Sequence, residues 1–261
     1  MDLRLTFNED PQNYDQLRPT YTAELFEDII HYSELTDSKS ALEIGIGTGK
    51  ATLPFLKTGC KVTAVELGKN LAEYVKQKFS EFSNFEVMNL DFEQYTAEGN
   101  TYDLIYSATA FHWIPQELGL TKVYRLLAPG GTIALFWNHP FVGRDDDKLH
   151  QAIRKAYAKY RPPEKKLTEF DESSLKPYTD TLSAYGFKEV RAKIYRQTRQ
   201  LNAQEYISLL NTYSDHRALE IEVKAGLEHD IALSIDKFGG LITIYNTIDL
   251  YLAKKPVTII R

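Results

Sequence analysis

The chain of 261 residues has a single cysteine, Cys60. One thiol excludes an internal disulfide and a multi-cysteine metal centre. No run approaches the roughly 20 apolar residues of a membrane-crossing helix, and the opening stretch, 1–16, lacks the apolar core of an export signal. An excess of one charge is lacking too. Lys and Arg number 31 against 36 Asp and Glu, a net charge of −5, which argues against broad nucleic-acid binding but leaves room for a local basic groove. The ten prolines and 14 glycines gather into no linker, and no repeat or low-complexity tract divides the chain. At 43% hydrophobic and 26% charged residues, the composition expects a cytoplasmic globular protein with no membrane partner, an enzyme or a small-molecule binder.

The first half alternates short apolar runs with amphipathic stretches. Residues 41–46 read as a buried strand running into glycines, 49–57 as a helix, and 61–66 as a second strand. Leu71, Tyr74, Val75 and Phe79 share one face of a helix over 69–79. Strands are expected at 85–89 and 102–108, a helix opening with Pro115 over 115–127, an APGG turn at 128–131 and a strand at 132–137. Alternation of this kind predicts a doubly wound α/β fold with a parallel sheet covered on both faces. In the second half, helices are expected over 145–160 (stopped by Pro162 and Pro163), 173–185, 203–213 and 217–236. Strands over 187–199 and 241–255 bring the sheet to about seven. The chain reads as one domain, 1–261, with a helical cap over about 145–185 and 200–237 and an N-terminal lid over about 1–35.

Residues 43–49 read Glu-Ile-Gly-Ile-Gly-Thr-Gly, where a strand becomes a helix. Glycines there allow a sharp turn and close approach of backbone to a ligand. Lys50 stands where the nicotinamide fingerprint needs its third glycine. Glu66 ends the second strand about 20 residues past the turn, the place of a carboxylate that accepts from two ribose hydroxyls. Asp91 follows the third strand, where it could accept from an adenine amino group. Taken singly, both could be solvated strand ends.

These residues resemble the class I S-adenosylmethionine-dependent methyltransferases. LEIGIGTGK (42–50) is similar to their first motif, with Ile46 where a cysteine is common, and Glu66 and Asp91-Phe92 match the next two. TYDLIYSATAFHWI (101–114) and LLAPGGTIALFW (126–137) resemble the motifs of the fourth and fifth strands. The resemblance implies a Rossmann-like seven-stranded sheet with an antiparallel last strand. It also implies S-adenosylmethionine as cofactor, S-adenosylhomocysteine as its product, and a cofactor set of Tyr14, Arg18, Glu43, Gly45, Gly47, Gly49, Glu66, Leu67, Asp91, Phe92 and Ser107. Ala-Phe-His-Trp (110–113) and Tyr-Asp-x-x-Arg-Pro-x-Tyr (14–21) resemble the small-molecule branch that includes the trans-aconitate type. In that branch the N-terminal segment folds over the cofactor, with Tyr14 and Arg18 near its methionine end. The fourth strand lacks the Asn/Asp-Pro-Pro-Tyr/Phe run of amide and nucleobase N-methyltransferases.

The expected reaction is methyl transfer to a small molecule, O-directed and with a carboxylic acid as the first acceptor class. An ionised carboxylate needs no base, whereas a hydroxyl does. His112 is the candidate catalytic residue; it could equally cap backbone or pack beneath the cofactor. Trp113, His139, Tyr213, His216 and Arg217 are the substrate candidates, each with a packing or surface alternative. Asp145-Asp146-Asp147 reads as a helix start that complements the dipole, and no metal is expected. Lys188, Arg191, Lys193, Arg196 and Arg199 read as a protected edge strand before an RNA groove. The rivals are a nicotinamide dehydrogenase, a cofactor-binding protein without turnover, and an RNA or protein methyltransferase.

Overall fold

The computed structural model describes Asn8, residues 11–161 and residues 168–257. The strands are β1 (Ser40–Ile44), β2 (Lys61–Glu66), β3 (Phe85–Asn89), β4 (Tyr102–Ala108), β5 (Leu127–Phe141), β6 (Lys188–Leu201) and β7 (Ile242–Lys254). The helices of the first half are α1 (Pro11–Leu17), α2 (Ala23–Ser33), α3 (Thr52–Leu56), α4 (Lys69–Lys78) and α5 (Gln116–Leu126). Those of the second half are α6 (Lys148–Tyr160), α7 (Lys176–Ala184), α8 (Ala203–Leu210), α9 (Ser214–Arg217) and α10 (Ile221–Lys237). The seven strands form one sheet in the order β3-β2-β1-β4-β5-β7-β6. Pairing is parallel from β3 to β5, and β7 runs antiparallel to both β5 and β6. This is the Rossmann-like doubly wound sheet with an antiparallel last strand that the motifs imply.

Successive strand residues face opposite sides, so the apolar runs feed two cores. Ala41, Leu104, Tyr106, Ala134 and Phe136 pack with α2, α3 and α4. Leu42, Ile44, Ile105, Ile133 and Leu135 pack with α5 and α7. A third core lies apart from these. Leu149 and Ile153 of α6, Leu209 and Leu210 of α8, and Leu227, Ile231 and Ile235 of α10 enclose Leu201 of β6 and Ile242 and Ile244 of β7. Pairing of β4 with β5 ends at Ala108↔Phe136, while β5 and β7 stay paired out to Phe141↔Tyr245. These long strands therefore project past the carboxyl edge of β4 and carry the third core beside it.

Several expected boundaries move for local reasons. α2 is unforeseen as a core helix: Leu25, Phe26, Ile29 and Tyr32 recur at helical spacing and are buried, so the expected lid 1–35 loses its second half to the core. β5 opens at Leu127 because the glycine-rich segment pairs with the chain after β7, Gly130 N–H donating to Lys255 O at 2.8 Å. The helix expected over 217–236 starts later, as α10 at Ile221, and Arg217 instead closes the short α9. α7, placed in the cap by sequence, buries Leu182 against the sheet. Pro162 and Pro163 lie outside the described residues, and α6 ends at Tyr160. No helix among the described residues is long and apolar enough to cross a membrane.

Candidate functional site

The glycine turn leaves β1 with Gly45, Gly47 and Gly49 at φ of 69°, 57° and 74°, a left-handed conformation that side chains resist. Their roles differ. A Cβ on Gly49 would stand 2.4 Å from Cε2 of Phe79, whereas a Cβ on Gly47 would meet nothing within 4 Å. Glu66, at the end of β2, accepts from Gly47 N–H at 2.9 Å and from Gly68 N–H at 2.8 Å. Burial raises its pKa, although three backbone N–H groups pull the other way. These contacts leave the carboxylate lone-pair capacity toward a ligand hydroxyl.

A cavity of about 300 Å³ opens beside this turn at the carboxyl edge of the parallel strands, where this fold places ligands. The segment after α1 forms a strap along it, with Arg18, Pro19 and Tyr21 in the lining. Asp15 of α1 accepts from Lys78 Nζ at 2.9 Å and Tyr74 OH at 3.0 Å, and its carbonyl takes a bond from Lys50. Those lysines hold the Asp15 carboxyl below its ordinary pKa against the opposing pull of burial. Arg18 donates to Thr212 O at 2.7 Å and lies 3.9 Å over the Tyr213 ring, joining the strap to the chain after α8. Tyr21 and Thr109 share a hydroxyl hydrogen bond of 2.7 Å, which anchors the strap to the loop after β4.

Of the expected cofactor set, Arg18, Gly45, Gly47 and Glu66 line the cavity together, joined by Leu67, Asp91 and Phe92. His112, Trp113 and Tyr213 line it as well. Three expected cofactor residues lie beneath the turn instead. Glu43 is 1% exposed and accepts from Thr52 Oγ1 at 2.7 Å and Tyr106 OH at 2.8 Å; burial pushes its pKa up to about 8. Ser107 is buried and donates to Ile44 O at 2.8 Å. Gly49 serves the packing of Phe79. The side chain of Tyr14 lies outside the described residues.

Three substrate candidates also lie off the cavity lining. His139 bonds through Nε2 to Asp249 Oδ1 at 3.0 Å and stacks on Phe170 with ring centroids 4.1 Å apart. Its neighbours Asn138 and Pro140 line the cavity, so strand alternation turns His139 to the opposite face. His216 is buried beside Tyr157, its Nε2 2.8 Å from that hydroxyl, and burial lowers its pKa. Arg217, at the end of α9, also stands off the lining. Tyr21, Lys50, Thr109 and Asn138 join the cavity with no role assigned from sequence. For Tyr21 the signal was present, since it closes the Tyr-Asp-x-x-Arg-Pro-x-Tyr run.

His112 is held from one side. Trp137 Nε1 donates to its Nδ1 at 3.1 Å, the Trp113 ring lies 5.0 Å away, and desolvation lowers its pKa. The aspartate run starts α6: Asp147 Oδ1 accepts from Leu149 N–H at 2.8 Å and His150 N–H at 3.1 Å. Among the described residues no group of three His, Cys, Asp or Glu side chains could hold a metal. Along β6, Lys193 pairs with Glu24 and Asp28, each at 2.7 Å, and Arg196 with Glu172 at 2.8 Å, so two of the five basic residues of that stripe meet carboxylates.

The comparisons accord with this geometry. A family model described as a methyltransferase domain matches residues 41–131, from β1 into the start of β5. An uncharacterized methyltransferase of Schizosaccharomyces pombe is 24% identical over 237 residues, 87% of this chain and 85% of that protein. Malonyl-acyl-carrier-protein O-methyltransferase 1 of Ilyobacter polytropus is 32% identical over 125 residues, 47% of this chain and 45% of its own length. Among solved structures, phosphoethanolamine N-methyltransferase 2 of Haemonchus contortus, bound to S-adenosylhomocysteine, superposes with a TM-score of 0.56 at 13% identity, covering 98% of this chain and 60% of that one. That last likeness is one of fold.

Residues 41–131 match a methyltransferase domain, and the protein is an S-adenosylmethionine-dependent methyltransferase. Its cofactor is S-adenosylmethionine and its substrate is a methyl acceptor.

Proposed function

We propose that this enzyme methylates a carboxylate oxygen of a small organic acid in the cytoplasm, in the manner of the trans-aconitate type. The cofactor is assigned to the glycine turn, with Glu66 accepting from its ribose, Asp91 and Phe92 beside its adenine, and Arg18 near its methionine end. Gly47 fits this role, since a Cβ there would enter open space beside the carboxylate. Bound S-adenosylmethionine supplies an activated methyl on a sulfonium, so the protein's work is to align an acceptor and exclude water.

The observation that carries the acceptor class is the sign of the lining. Its acidic residues among those described, Glu66 and Asp91, follow β2 and β3. The strap, the loop after β4, β5 and the chain after α8 supply Arg18, Tyr21, Thr109, His112, Asn138, Tyr213 and Ser214, without a carboxylate. Such a wall of donors suits an anion, arginine above all. The Ilyobacter relative, named for O-directed transfer to a malonyl group, supports the same direction. The layer of α6, α8 and α10 is assigned as the cap that shapes this wall.

Titration calorimetry with S-adenosylmethionine, S-adenosylhomocysteine and the two nicotinamide dinucleotides tests the cofactor site. The adenosyl ligands should bind alone, and Glu66→Ala should weaken them about 10–100-fold, the equivalent of about 1–3 kcal/mol. A labelled-methyl assay over small mono-, di- and tricarboxylic acids, with phenols, amines and tRNA as counter-panel, tests the acceptor. Ester formation on an acid supports the reading. Transfer confined to amines, phenols or RNA overturns it.

A further inference from the structure

The His112 ring has two nitrogens, and only one carries a proton when the ring is neutral. An indole N–H donates and never accepts. The 3.1 Å contact from Trp137 Nε1 therefore requires a lone pair on His112 Nδ1 and leaves the proton on Nε2. Trp137 is itself held. Its backbone N–H donates to the buried Asp249 Oδ1 at 3.0 Å, and its ring makes edge contacts with Tyr178 and Tyr251, centroids 5.2 and 6.0 Å away. A ring flip would turn Cδ2–H toward the indole and lose this hydrogen bond.

We propose that Trp137 fixes His112 as the Nε2–H tautomer, making this histidine a hydrogen-bond donor to the methyl acceptor and not a proton-abstracting base. The acceptor role rests on the proposed function above; the tautomer rests on the contact alone. A base would need its lone pair on Nε2, which Trp137 denies it, and Nδ1 is already covered. A donor fits an acceptor that arrives ionised. A lone pair of the carboxylate oxygen forms the new O–C bond, and the pair of the broken S–C bond remains on sulfur. Anion and sulfonium become ester and thioether, and no proton moves. Trp137 acts through His112 and is thus a positioning residue.

Nitrogen-15 NMR of histidine-labelled enzyme reads the tautomer directly, with or without ligands. At pH 7.5 His112 should show a protonated Nε2 and an unprotonated Nδ1. Trp137→Phe, which keeps an aromatic ring and removes the donor, should give mixed tautomers, a severalfold higher acceptor KM and unchanged affinity for S-adenosylhomocysteine. His112→Gln retains a side-chain N–H donor and has no basic nitrogen, so its turnover should exceed that of His112→Leu at least tenfold. A wild-type His112 protonated at Nδ1 overturns the proposal whatever the acceptor proves to be. Equal loss in His112→Gln and His112→Leu overturns the donor role. An acceptor outside the carboxylic acids, found with the Nε2–H tautomer intact, overturns the proposed function and supports the tautomer.

Discussion

Two parts of this molecule bury apolar side chains by different means. In the half built on β1 to β4, the strands β1, β2 and β4 each feed two cores at once, and parallel backbone pairing sets the register. In the layer of α6, α8 and α10, helices pack around the projecting ends of β6 and β7, and side-chain contacts set their positions. The first part presents backbone to a ligand, as Gly45 and Gly47 do; the second reaches the cavity through the residues that follow α8, Tyr213 and Ser214. On the proposed reading, cofactor binding belongs to the first part and choice of acceptor to the second.

The largest effects should come from emptying each core. Leu104→Ala and Leu227→Ala, both at fully buried positions, should each cost about 2–5 kcal/mol of stability, measured by urea unfolding. Leu104→Ala should also weaken cofactor affinity. Leu227→Ala should leave cofactor affinity within about twofold in the folded enzyme and raise acceptor KM. Equal loss of cofactor affinity in both would erase the division of labour.

Next come the glycines. Gly49→Ala combines a left-handed backbone with a clash on Phe79 and should cost about 2–4 kcal/mol. Gly47→Ala carries the backbone cost alone, about 1–2 kcal/mol, and its main effect should be weaker binding of S-adenosylhomocysteine, since the new methyl enters the cavity. Calorimetry and thermal melts on both variants separate packing from ligand approach.

A further test is a pH dependence seated beneath the turn. With a pKa raised from 4.5 to about 8, Glu43 holds a proton in the fold that the unfolded chain releases. Its contribution is therefore full below about pH 4.5 and is lost as pH rises through about 8. Glu43→Gln keeps an oxygen for Thr52 and Tyr106 to donate to and cannot ionise. The gap between its melting temperature and the wild type's should move in the variant's favour from pH 5 toward pH 8.5. A constant gap would mean that Glu43 is ionised throughout.

The rigid half was largely legible. Alternating apolar residues mark its strands, and the glycine turn, Glu66 and Asp91 fall at strand ends whose places follow from that alternation. Depth was less legible within the motif. Glu43 and Ser107 stand at strand positions adjacent to the turn, yet their side chains point into the sheet's packing, where Thr52, Tyr106 and Ile44 O engage them. The placement of His139 off the cavity lining follows from parity. A residue between two cavity-lining neighbours on an extended strand faces away from the cavity, and one position changes the face. α2 escaped notice although Leu25, Phe26 and Ile29 carry its periodicity, because Arg18 and Pro19 drew the segment into a lid.

The sequence by itself determined the sheet's architecture and the cofactor edge, because both depend on local periodicity and on glycines tied to a strand end. Only the tertiary structure decided what stands across the cavity from that edge. Arg18 meets Tyr213 across 195 positions of chain, and Trp137 meets His112 across 25. Contacts of that kind arise when separate elements pack, and no local pattern encodes which nitrogen of a histidine they leave protonated.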